Sequence, residues 1–158
     1  RYANYLTHTD FVPHNFRLIE HTLYMLDCVP NYATIHFGNK YEGWARFLNY
    51  MLIHSPELER ILTKYVRDNR GEDEYLSLRL MRAYKIAFLL DYYARSLEKT
   101  AGDLHKLTLA RLEYWREALM AVLENRLVAK EVTEKYIATR NALRSEEEKT
   151  RQREFAVA

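Results

Sequence analysis

No proline follows Pro56, and from there to the end of the chain the only glycines are Gly71 and Gly102. Proline and glycine are the residues that stop helices most effectively, by a missing N–H and by excess backbone freedom. A segment nearly free of both, and rich in Leu, Ala, Glu, Lys and Arg, is committed to long helices. The expected fold class is therefore all-α: an irregular bundle, or stacked helical hairpins, of five to six helices. A long C-terminal helix and an irregular N-terminal arm complete this expectation.

The chain has 158 residues, which suits one domain with a closed core. Its division is expected to be an arm over 1–13, a helical domain over 14–144 and a polar helical end or tail over 145–158. Within the domain, Phe16, Ile19, Leu23 and Leu26 recur at three and four residues and predict a first helix over 14–29. Trp44, Phe47, Leu48, Met51 and Leu52 predict a second over 41–54.

Ser55-Pro56-Glu57 has the residues of a helix start, and Asn69-Arg70-Gly71 those of a stop. Leu58, Ile61, Leu62, Tyr65 and Val66 form the apolar stripe between them. A fourth helix, from about Asp73 to Lys99, is apolar nearly all round in its middle, so it is expected to be central, with neighbours on several sides. From Leu104 the pattern continues past Asn125-Arg126 to Leu143. This means either a break near Asn125 or one very long helix.

Several chemistries find no footing. No two of the six histidines lie three or four residues apart, and no Glu-x-x-His motif occurs, which removes the signature of a di-iron bundle. No Gly-x-Ser-x-Gly elbow or glycine-rich phosphate loop is present. The expectation is a non-enzyme with no cofactor and no metal site. Cys28 is the sole cysteine, so no intrachain disulfide can form, and its apolar context suits a buried thiol. Trp44 and Trp115 both fall in apolar stripes and read as core anchors.

The outlier is tyrosine, with 13 copies. Its apolar ring and polar tip suit surfaces half covered by something else. These rings either line the rim of a helical core or face partner proteins. A basic row, Arg79, Arg82 and Lys85, preceded by Arg67 and Arg70, reads either as a solvated face bridged to Glu72 and Glu74 or as a docking strip. Because acidic residues interleave with it and the net charge is only +2, a protein partner is favoured over nucleic acid. Tyr2 and Tyr5 on the arm complete the candidate docking set.

The resulting functional expectation is a non-catalytic structural or interaction subunit of a larger hetero-oligomeric assembly. By general character this would be an accessory subunit of a mitochondrial complex such as ATP synthase or a respiratory enzyme. It would be soluble or peripheral to a membrane, since no apolar run is long enough to cross one, and the opening Arg1 fits either removal of a targeting segment or a stretch of a longer chain. The alternative is a helical-repeat RNA-binding module, suggested by the spacing of Gly43, Gly71 and Gly102, 28 and 31 residues apart, and by the basic-aromatic strip. A small helical enzyme is the third class; it would need a polar pocket where titratable groups converge.

Overall fold

A computed structural model describes residues 5–8, 10–26 and 35–145. Helix dominates it. Five helices carry most of the described residues: α1 (Glu42–His54), α2 (Pro56–Arg70), α3 (Glu72–Leu97), α4 (Gly102–Leu123) and α5 (Lys130–Leu143). Four short strands precede them: β1 (Tyr5–His8), β2 (Phe16–Ile19), β3 (Thr22–Met25) and β4 (Ile35–Gly38). The chain clusters into two compact units, Arg1–Lys85 and Ile86–Ala158, and α3 contributes residues to each.

In the first unit, β1 pairs antiparallel with β4, with Leu6 opposite Phe37. Residues 5–8 of the expected irregular arm are thus a strand. The helix expected over 14–29 is also corrected. Pro13–Asn15 is a single 3-10 turn, and Phe16 to Met25 is a β2–β3 hairpin with Leu18 opposite Leu23. A two-residue loop, Glu20-His21, closes it, and Glu20 takes the left-handed φ of 55° that tight hairpin turns require.

Phe11 fixes the hairpin base to α1. Its ring meets Phe16 edge-on at 4.8 Å and lies 6.0 Å from Trp44 and 5.8 Å from Phe47. Asp10 adds a polar tie: its carboxylate accepts hydrogen bonds from Asn15 and from Arg46 of α1. Gly43 is obligatory where β1 crosses α1, because a Cβ there would lie 2.7 Å from the His8 carbonyl oxygen.

The helix signals of this unit fall where the sequence puts them. Pro56 opens α2, and Gly71 follows it at φ 86°, a backbone conformation that glycine adopts without steric cost. The core between α1, α2 and α3 is Tyr41, Ala45, Leu48, Val66 and Leu78, with Phe47, Leu62 and Met81 around it. Trp44, expected as a core anchor, is 39% exposed.

In the second unit α4 packs on α5. Tyr114 and Tyr136 stack at 4.4 Å with rings 15° apart, and Trp115 meets Tyr114 edge-on. Ala118 and Ala121 are fully buried and Trp115 nearly so. The expected long C-terminal helix does not form. Asn125 adopts φ 57°, the Asn125 N–H donates to Val122 O, and the Arg126 N–H donates to Ala121 O. This is the Schellman arrangement that ends a helix by satisfying its last carbonyls. Among the described residues no helix is long and apolar enough to cross a membrane. Tyr2, Cys28 and the polar end beyond Ser145 lie outside the described residues.

Candidate interaction surfaces

The basic row does not make one face. A spacing of three on a helix of 3.6 residues per turn drifts about 60° per step, and here the drift carries the row inward. Arg79 is half-buried, with its guanidinium 5.8 Å from the Tyr75 ring. Arg82 is buried, 4% exposed, and bonds Glu59 of α2 at 2.5 Å. Its Nε donates to Asn49 Oδ1 of α1, and the Asn49 amide donates back to the Arg82 carbonyl, both at 3.1 Å. Thr63 donates to the same Glu59 carboxylate. Lys85 turns to Glu42 of α1 at 2.5 Å. Arg82 and Lys85 therefore spend their charge inside the first unit.

Arg67 and Arg79 do converge, but on the buried Tyr75 ring, with Arg67 at 5.5 Å. Arg67 also donates to Glu72 at 2.7 Å, and this hydrogen bond holds the guanidinium pKa above its ordinary value. Arg70, the last residue of α2, is exposed. Tyr5 is 45% exposed on β1, with Lys40 5.6 Å from its ring centre.

Glu74 binds elsewhere than the sequence suggested. It pairs with Lys40 and accepts the Tyr41 hydroxyl at 2.6 Å. Burial, then the Glu74 contact, pushes the Tyr41 phenol well above the usual range. Hydrogen bonds from Lys40 and Tyr41 hold the Glu74 carboxyl below its ordinary value.

What does lie on the surface is apolar. On α3, Leu76, Leu80 and Tyr84 in the first unit, and Phe88 and Tyr92 in the second, follow one another every four residues. They are 49%, 57%, 58%, 66% and 60% exposed, respectively. The expectation of a central fourth helix covered on several sides fails along this row. Its signal was legible, since a series at spacing four is the i±4 ridge that helices use to pack on other helices.

Two more such surfaces occur in the first unit. Leu18 and Leu23 are opposed on one face of the β2–β3 hairpin and are both mostly exposed. On α2 the core accepts Leu62 and Val66, while Leu58, Ile61 and Tyr65 of the expected stripe remain half-exposed. Between β1, β3 and the start of α1, a cleft of about 290 Å³ is lined by Leu6, Phe11, Met25 and Trp44, with Lys40, Thr7 and His8 as its polar groups. Among the described residues, no group of three or more His, Cys, Asp or Glu side chains could hold a metal ion.

No family model matches this chain, and comparisons with curated proteins and with solved structures find no match.

Proposed function

We propose that this protein is a non-catalytic interaction subunit of a larger protein assembly. The observation that carries the reading is the exposed row on α3. Ordinary soluble surfaces show single apolar side chains, whereas contiguous apolar strips mark places where another molecule sits. Two-thirds exposure of Phe88 leaves free energy on the order of 1–2 kcal/mol unrealised for that side chain alone. The hairpin supports the same reading, because two isolated strands are marginal in water and Leu18 and Leu23 gain nothing until something covers them.

Protein is the partner class favoured over nucleic acid. Arg82 and Lys85, the inner members of the basic row, are taken up by Glu59 and Glu42. The RNA-binding alternative keeps the glycine spacing and the outer arginines Arg67, Arg70 and Arg79, and has less positive charge to offer a phosphate backbone. The assembly we propose is mitochondrial, an accessory position in a complex such as ATP synthase or a respiratory enzyme. This setting is supported by the general character of the sequence, and co-migration with such a complex on native gels tests it.

The surface reading has its own test. The isolated protein should bind an apolar dye and associate, and replacing Tyr84 and Phe88 by Ser should reduce both without loss of helix by circular dichroism. A wild-type protein that is monomeric and dye-negative overturns the reading.

A further inference from the structure

The outward face of α2 carries a pattern that the first unit does not use. Its core-facing side holds Glu59, Leu62 and Val66. Ile61 points roughly 135° away from that side, yet it is a large aliphatic residue and is 49% exposed. Within about 60° of it on the helix lie Leu58 and Tyr65 to one side and Glu57 and Lys64 to the other. All four are exposed: Leu58 and Tyr65 by 37% and 54%, and the Glu57 and Lys64 side chains by 65% and 64%.

We propose that α2 pairs antiparallel with α2 of a second copy of this chain, about a two-fold axis at Ile61. Such an axis reverses direction along the helix and keeps each side of the face on its own side. Ile61 then meets its own counterpart. Leu58 meets Tyr65 of the other copy twice, with an axial offset of only about 1.5 Å. Glu57 meets Lys64 twice on the other flank, with the same offset. Within this set each apolar group faces an apolar group and Glu57 faces Lys64, the self-complementarity that an isologous interface demands, while Asp68, about 20° from Ile61 and two turns along the helix, keeps its pair with Lys64.

The ion pairs these residues make now, Glu57 with Arg60 and Lys64 with Asp68, are exposed and lie within the helix. They can be shared across the axis without burying a lone charge. A face of five side chains on one short helix buries less than the roughly 1,200 Å² at which stable specific interfaces begin. The expected dimer is therefore weak and reversible.

Sedimentation equilibrium between roughly 5 and 500 μM tests this, on the wild-type protein and in the Tyr84→Ser/Phe88→Ser background that silences the α3 row. The silenced background should show a monomer–dimer equilibrium, and the wild-type protein should add the association of its α3 row to it. In the silenced background Ile61→Glu should abolish the equilibrium. Glu57→Lys and Lys64→Glu should each weaken it at least tenfold, and the double reversal should restore it. A monomer throughout this range, or a dimer indifferent to Ile61→Glu, or a double reversal no better than its singles, overturns the proposal. Read in the Tyr84→Ser/Phe88→Ser background, these outcomes bear on α2 alone, and the reading of the α3 row is tested separately by dye binding and association of the wild-type protein.

Discussion

Replacing Arg82 by Met should be among the most damaging single changes available in the first unit. The guanidinium is one of three charged or amide groups, from three helices, that meet out of water: it binds Glu59 at 2.5 Å and donates to Asn49 Oδ1 at 3.1 Å, while the Asn49 amide donates to the Arg82 main-chain carbonyl. Met fills much of the same volume but brings no donor. Glu59, 4% exposed, would keep only the Thr63 hydroxyl against its charge, and Asn49 would lose the donor to its Oδ1. Stranding one partner of a buried ion pair costs about 3–5 kcal/mol. A domain of this size has only about 5–15 kcal/mol in all.

Removing both charges tells the opposite story. In Arg82→Met/Glu59→Leu neither ion is left to desolvate, and stability should recover to within about 1–3 kcal/mol of wild type, the remainder being the buried Asn49 Oδ1 left without its donor. Urea titration reads the difference. The two tryptophans separate the units, since Trp44 belongs to the first and Trp115 to the second. A Trp115→Phe background reports the first unit alone, and a Trp44→Phe background reports the second. The single variant should lower the transition seen by Trp44, with a melting temperature reduced by roughly 12–40 °C for a unit of this size. A loss below about 1 kcal/mol in the single variant, or a double variant as unstable as the single, would refute the account of a closed buried network.

Other changes probe separate contacts. Glu74 has a depressed pKa in the folded chain because Lys40 and Tyr41 bond its charged form, so its contribution is present above the unfolded carboxyl value near 4.3 and is lost as pH falls through the folded one. Glu74→Gln should therefore cost a little at pH 7, under about 1 kcal/mol for a pair this exposed, and nothing at pH 2–3, as read by urea midpoints. Gly43→Ala should destabilise the first unit by about 1–3 kcal/mol, because β1 must retreat from a Cβ only 2.7 Å from the His8 oxygen. Glu20→Gly should protect the amide protons of the hairpin from exchange by about 1 kcal/mol, since glycine holds a φ of 55° without the strain Glu bears there. Unchanged protection would show that the turn is not the weak point of the hairpin.

Residue chemistry alone fixed much of the helical frame. Pro56, Gly71 and Gly102 mark helix boundaries because a ring-locked φ and a positive φ act locally, whatever packs nearby. Asn125 is a milder signal of the same kind. It tolerates the left-handed region without demanding it, so the sequence allowed both one helix and two, and the Schellman bonds to Val122 and Ala121 decided. The hairpin was missed for a different reason. Phe16, Ile19, Leu23 and Leu26 recur at helical spacing by coincidence, while the ring of Phe11, brought up by α1, selects a strand at Phe16.

Only the tertiary structure decided which way each amphipathic residue faces. Arg82 and Glu59 are polar residues at inward positions, and they can be there because helices that are distant in sequence deliver each to the other. Tyr84 and Phe88 are apolar residues at outward positions, and periodicity reads them as core because it records hydrophobicity without knowing which neighbours exist. Local backbone preferences are a property of the chain, whereas burial is a property of what the chain is packed against. That is why the helices from α1 onward could be read in advance, while which of their apolar rows would stay uncovered could not.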